Sequence, residues 1–380
     1  MKRLLLTILA LAVLGAGICL SVSWYAHRPW QQWQDFVAGF VQPDGRVVDQ
    51  TFGAKSTSEG QSYGLFFALV ANDRPAFERI LDWTENNLAQ GDLKRELPAW
   101  LWGQSEDGVW GVRDTNPASD SNLWIAYSLF EAARLWAVPE YEVLARQVLW
   151  NVRQQEVVTL GELGPMLIPA RKGFTLDEQG LRFNPSYLPE FQLRYFASVD
   201  SSGPWAQMLR TADELFGKAQ RKGVMPDWFE YYMSSGVRPD AKTGGVSSYD
   251  AIRVYLWAGM TPNSRWLAQL APYVKIIEKR GFPPERVEPR SQAITEGQPL
   301  GFSAAVLPFL SALNEDTLLK KQLERLSRSR VNGGLGDPAH YYDQVLALFG
   351  EGWVSDRYQF DEDGKLMPRW RRTCCSALQR

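Results

Sequence analysis

Apolar residues recur at helical spacing along most of the 380-residue chain, and many such stretches come in pairs separated by a few residues. The second of a pair often starts on a proline: Asn72-Asp73-Arg74-Pro75, Val138-Pro139, Gly203-Pro204 and Met260-Thr261-Pro262. Proline in a first turn presets φ and loses no needed hydrogen bond, so these positions mark helix starts. The pattern predicts helices near 30–41, 61–72, 74–89, 119–136, 139–155, 187–197, 203–221, 247–259, 262–280, 301–313, 315–329 and 338–350. Twelve helices in six hairpins suggest an all-α protein of (α/α)6 toroid type. No Ser/Gly- or Pro-rich linker divides the chain, so a single domain is expected over 24–380.

Long connections at 90–118, 156–186, 222–246 and 281–300 interrupt the helices, and connections of that length usually form a functional rim. The second holds β-like pieces at 156–160 and 180–183, a small β element. The first carries Trp100, Trp102 and Trp110; the third carries Trp228, Tyr231 and Tyr232. Rings outside helical periodicity can pack loops onto the helices. They can also stack on the flat apolar face of a pyranose.

The N-terminus reads as an export signal. Lys2 and Arg3 precede an apolar run to about Leu20, and the small residues Ser21 and Ser23 place cleavage near Ser23, giving a signal peptide over 1–23. A retained anchor is the alternative, although such a run is marginal for a span. A lipoprotein site at Cys19 lacks the small residue before the cysteine. A periplasmic or secreted protein follows. Cys374 and Cys375 are adjacent in a polar tail, which disfavours a framework disulfide between them.

The residue inventory excludes several chemistries. With 41 basic and 43 acidic residues there is no basic footprint for nucleic acid. Two histidines and three cysteines leave too few ligands for a conventional zinc site, so neither metal nor cofactor is expected. Asp and Glu are the available acid–base groups.

Three carboxylates fall at the starts of even-numbered helices: Glu59 in Ser58-Glu59-Gly60-Gln61-Ser62-Tyr63-Gly64, Asp120 in Ala118-Ser119-Asp120-Ser121-Asn122, and Asp250 in Ser248-Tyr249-Asp250-Ala251-Ile252-Arg253. In an α/α toroid alternate helices form the inner ring and run parallel, so these carboxylates meet at one rim. Any one alone is explained as a helix-start acid. Three together, flanked by Gly, Ser and Tyr, point to glycoside hydrolysis, which needs one protonated and one ionised carboxyl group and no metal.

These segments, with Phe183-Asn184-Pro185-Ser186-Tyr187-Leu188-Pro189, Asn86-Asn87-Leu88-Ala89-Gln90-Gly91, Leu97-Pro98-Ala99-Trp100-Leu101-Trp102-Gly103 and Pro299-Leu300-Gly301-Phe302-Ser303-Ala304-Ala305, resemble glycoside hydrolase family 8 over about residues 30–370. Within the family the likeness is to the periplasmic endo-β-1,4-glucanases that accompany bacterial cellulose synthase. The resemblance implies an (α/α)6 barrel and inverting hydrolysis of a β-1,4-glucan, and raises the cellulose synthase complex as a partner. It implies Glu59 as proton donor, Asp250 as general base, and Asp120 as the signature acid, named a nucleophile or acting as a −1 sugar binder. Tyr187, Tyr249, Arg253, Trp100, Trp102 and Trp110 are the implied substrate-binding residues. Inversion would separate donor and base by roughly 6.5–9.5 Å.

One position departs from the family pattern: Asn122 stands where a second Asp is usual. If that charge helps keep Glu59 protonated, its loss lowers the pH optimum; if it only serves a helix first turn, its loss is neutral. Two rival readings are a non-catalytic glucan-binding or synthase-scaffold protein, which leaves the three acids unexplained, and a lyase for acidic glycans, which would need a basic cluster that the motifs lack.

Overall fold

The computed structural model describes Ala26 and residues 28–177, 180–291 and 293–371. The expected signal peptide, Cys19, Cys374 and Cys375 lie outside these residues. The described chain is mainly helical. The helices are α1 (Gln31–Phe40), α2 (Ser58–Val70), α3 (Arg74–Leu88), α4 (Ser119–Trp136), α5 (Pro139–Gln155), α6 (Glu190–Val199) and α7 (Trp205–Ala219), followed by α8 (Ile252–Met260). Next, Leu267–Leu270, a 3-10 turn and Val274–Arg280 run on as α9. Leu300–Ala305 and Leu307–Ala312 meet at Val306 as α10, broken where Pro308 has no N–H to give. Then come α11 (Asp316–Arg328) and α12 (Tyr341–Val354).

Most helix starts fall close to the expected positions, and those at Ser119 and Pro139 coincide with them. Two start later. The segment Pro185–Tyr187 is a 3-10 turn, so α6 waits until Pro189 has passed. Before α8, residues 248–251 are held in a turn by the buried Asp227 carboxylate, which accepts from the Ser248 and Ala251 N–H groups.

Each even-numbered helix packs against an odd-numbered partner: α2 with α3, α4 with α5, α6 with α7, α8 with α9, α10 with α11, and α12 with α1. The even-numbered helices also touch in sequence, α2 to α4, α4 to α6, and on to α10 and α12. Phe349 of α12 then meets Tyr63, Phe66 and Phe67 of α2, ring centroids 4.5–5.7 Å apart. Three of these six are buried nearly all round: every residue of α8, all but two of α4 and all but Glu59 of α2. The odd-numbered ones are amphipathic and bury one face.

The connections hold more strand than the sequence suggested, and the single small β element becomes five small sheets. Strands β1 (Ser56–Thr57), β2 (Ala99–Gln104) and β3 (Trp110–Pro117) form one antiparallel sheet; β4 (Val157–Thr159) pairs with β5 (Pro165–Leu167). Strands β6 (Gly180–Phe183), β7 (Phe229–Tyr232) and β8 (Gly236–Pro239) form another three-stranded sheet, so the first and third connections are not loops throughout. The last four strands are hairpins, β9 (Arg330–Val331) with β10 (Gly334–Leu335) and β11 (Tyr358–Phe360) with β12 (Leu366–Pro368). Among the described residues no helix is long and apolar enough to cross a membrane.

Candidate active site

The sequence places Glu59 at the start of α2, and the local structure fixes it there. Thr57 caps the helix by accepting from the Gly60 N–H at 3.0 Å, while its backbone pairs with Leu101 of β2. Two residues after Glu59, the buried Gln61 accepts from the Val47 N–H at 2.6 Å and donates to Thr84 Oγ1 at 3.1 Å. Glu59 therefore stands in the first turn of a helix tied both to its outer partner and to a rim sheet.

Arg253, in the first turn of α8, gathers the three acids. Its Nη1 donates to Glu59 Oε2 and, at 2.9 Å, to the Tyr63 hydroxyl. Nη2 donates to Asp250 Oδ1 at 2.7 Å, and Asp120 Oδ2 lies 3.7 Å from Nη1. The guanidinium is 4% exposed and so is Asp120, whereas Glu59 and Asp250 are 27% and 29% exposed. Glu59 and Asp250 thus present carboxylate oxygens to the open side, and Asp120 lies beneath them.

Burial, together with the negative charge of Glu59, pushes the Asp120 carboxyl up to about 7, against the opposing pull of Arg253 and of the Ser121 N–H. That N–H donates to Asp120 Oδ1 at 2.7 Å. A group of three carboxylates around one cation can hold a proton at mildly acidic pH, as acid catalysis requires.

Of the other expected residues, Tyr187 is half-buried, and burial plus the charges of Asp120 and Asp250 raises its hydroxyl well above the usual tyrosine range. Tyr249 is 45% exposed and donates to Glu285 Oε1 at 2.9 Å. It borders a cavity of about 510 Å³, shared with Tyr342, Gln298 and His340. Trp102 and Trp110 stack at 4.9 Å with the Arg46 guanidinium 4.1 and 4.6 Å from their rings. Trp102 also meets buried Trp83 edge-on, whereas Trp110 is 43% exposed and Trp100 half-buried on the same hairpin.

Three residues gained a place at the site only in three dimensions. Tyr63 touches Arg253, and its spacing of one helical turn from Glu59 was the available signal. Trp228 donates its indole N–H to Asp250 Oδ2 at 3.0 Å; the sequence marked it only as a rim aromatic. Asp227 pins the turn that carries Asp250, and no sequence signal distinguished it. Asn122 turns toward Glu156, donating to both carboxylate oxygens at 3.0 Å. Among the described residues no group of His, Cys, Asp and Glu side chains is arranged to hold a metal ion.

A helical frame that brings two accessible carboxylates and a buried third around one arginine, beside rim aromatics, is the site of a glycoside hydrolase. The comparisons identify which: residues 6–356 match the model for glycosyl hydrolases family 8, and the chain belongs to that family. It is 43% identical over 354 residues to an endoglucanase of Escherichia coli K12, covering 92% of this chain and 93% of that one. An endoglucanase of Xanthomonas axonopodis pv. citri is 44% identical over 92% of this chain and 91% of its own. The crystal structure of an endo-1,4-D-glucanase from Vibrio fischeri ES114 superposes with a TM-score of 0.82 at 38% identity, covering 90% of this chain and all of that one.

Proposed function

We propose that this protein is an exported endo-β-1,4-glucanase that cleaves internal bonds of a β-1,4-glucan with inversion. Its helices close into an (α/α)6 toroid within a single domain over 24–380, once residues 1–23 are removed and the protein reaches the periplasm or the medium. The observation that carries the reading is the Arg253 bridge between Glu59 and Asp250. Family membership and the endoglucanase relatives support the substrate class.

The chemistry follows from that bridge. Glu59 gives its proton to the glycosidic oxygen as the bond to the anomeric carbon breaks. Asp250 takes a proton from the water that attacks the same carbon from the opposite face. At the start Asp250 is the carboxylate and at the end Glu59 is. One guanidinium contacts both, so its counter-charge is matched by one of the two carboxylates before and after the step, and no uncompensated charge appears in the site. Asp120, poised beneath them, binds the sugar in the −1 subsite. Tyr187 borders the attacking water, and the Trp100, Trp102 and Trp110 hairpin and Tyr249 contact sugars on either side. The cellulose synthase machinery is the proposed partner, through the resemblance to the glucanases that accompany it.

Release of reducing ends from carboxymethylcellulose by the mature protein and by Glu59→Gln tests the reading. The amide keeps the shape of the acid and cannot donate its proton. Parent activity with a loss of about a thousandfold or more in the variant is expected. Glucan binding without activity in the parent would replace the enzyme by a binding protein; equal activity in both would remove Glu59 from the chemistry. Proton NMR of the first product formed checks inversion by its α-anomer.

A further inference from the structure

We propose that the sheet β6–β7–β8 is a positioning device for the base, acting through Arg182, Asp240 and Trp228. The inference rests on the reading of Asp250 as general base. Both oxygens of that carboxylate are held, Oδ1 by Arg253 and Oδ2 by the Trp228 indole N–H. Arg253 lies in the first turn of the helix that directly follows the turn carrying Asp250. Trp228 comes from a different part of the chain, so its own placement decides where Oδ2 points.

Trp228 has little freedom. Phe174 stacks on its ring at 5.6 Å and 18°, and the Arg182 guanidinium lies 3.9 Å from the ring centroid. Arg182 is in turn locked by two bonds to Asp240, 2.6 and 3.1 Å, in a pair that is almost wholly buried. The end of the sheet is closed around Asp240: its carboxylate accepts from the Thr243 N–H, and Glu230, opposite Arg182 in the ladder, accepts from the Ala241 N–H. A buried ion pair is weak evidence for stability, because desolvation offsets most of the attraction. Here it serves a purpose that stability does not explain, holding a planar cation on the indole. A cation over the ring also draws electron density from it and strengthens the N–H as a donor to a carboxylate.

The charged and titratable groups that face Asp250 are Arg253, Glu59, Asp120, Asp227, Tyr187 and Tyr342. All remain in place when Trp228 alone is changed, so a shift can be assigned to it. Trp228→Phe keeps a ring between Phe174 and Arg182 and removes the donor. The expected result is a fall in kcat of about tenfold or more, with KM little changed. The acid limb of the kcat/KM–pH profile should move to higher pH, because the ionised base loses a hydrogen bond that favours it. Arg182→Lys keeps the charge but not the planar, doubly bonded contact, and should move the limb in the same direction by less; it also serves as the second test if Trp228→Phe fails to fold. An unmoved limb in folded variants overturns the proposal, as does an increase in KM alone, which would make Trp228 a sugar contact. Asp250→Asn separates the two ideas: if that variant retains full activity, the base assignment falls and the proposal with it. If it is inactive and the limb of Trp228→Phe does not move, only the proposal falls.

Discussion

Glu156 shows what one buried side chain does to the whole protein's response to pH. It has no exposed surface, and its carboxylate faces the Asn122 amide at 3.0 Å. Burial, aided by the charge of Asp120 and opposed by Asn122 and Arg171, pushes its pKa from 4.5 up to about 8. In the unfolded chain the group ionises near its ordinary value. Between the two values the folded protein holds a proton that the unfolded chain has lost, so stability falls as pH rises across that interval and levels above it. Asp120, raised to about 7, acts in the same direction. Glu156→Gln removes one of these contributions and should flatten the plot of Tm against pH, with a gain over the parent on the order of 2 kcal/mol above pH ~8. Asn122→Asp, which brings a second carboxyl against the first, should steepen it. Thermal unfolding of parent and variants across the pH range checks both, and parallel curves would rule out the buried acid. The sequence displayed Asn122 as a departure from the family pattern and directed attention to Glu59. Its partner was hidden, because Glu156 is 34 residues away, at the start of the 156–160 stretch that the sequence marks only as β-like, and only folding brings α4 and the end of α5 side by side.

At the scale of elements, the β2–β3 hairpin links the rim to the helix that carries Glu59. Arg46 donates to Ser56 Oγ at 2.8 Å and covers Trp102 and Trp110, so the segment leading into Glu59 and the tryptophan pair share one anchor. Trp102 is fixed from behind by Trp83. Trp110 is the outer ring of the stacked pair and is 43% exposed. Trp110→Ala should therefore raise KM for long glucans severalfold, with kcat nearly unchanged and Tm altered by little. Kinetics on cello-oligosaccharides of increasing length check this, and a loss confined to kcat would show that the ring supports Glu59 rather than sugar. The helices were legible because apolar periodicity and first-turn prolines report the same boundary. The hairpin was not. Its strands mix aromatic, polar and glycine residues, and irregular registers between Ala99, Leu101 and Trp102 break the regular ladder of a strand pair.

For the whole molecule, the legible part was the pairing of helices, and the hidden part was how closely the inner ones approach. That contact is set by glycine. A Cβ on Gly350 of α12 would lie 1.8 Å from the Ala304 carbonyl oxygen, and one on Gly259 of α8 would lie 2.1 Å from the Phe309 nitrogen. Both obstacles are backbone of α10, which cannot rotate away as a side chain could. Neither glycine stood out in the sequence, since each falls at the last position of an expected helix, 247–259 or 338–350, where glycine reads as an ordinary helix end. Either change to Ala forces α10 away from a neighbour, with an expected cost of about 1–3 kcal/mol or more and a drop of several degrees in Tm. Gly259 and Gly350 press on the same helix from its two inner neighbours, so one outward shift of α10 relieves both clashes. The Gly259→Ala, Gly350→Ala double variant should then lose less stability than the two single variants together, a coupling that a double-mutant cycle on Tm and denaturant midpoint reads directly. Strict additivity would mean that α8 and α12 give way separately. In that case the helices adjust pairwise, and the arrangement of Glu59, Asp120 and Asp250 around Arg253, which hangs on the starts of α2, α4 and α8, is insulated from packing around α10.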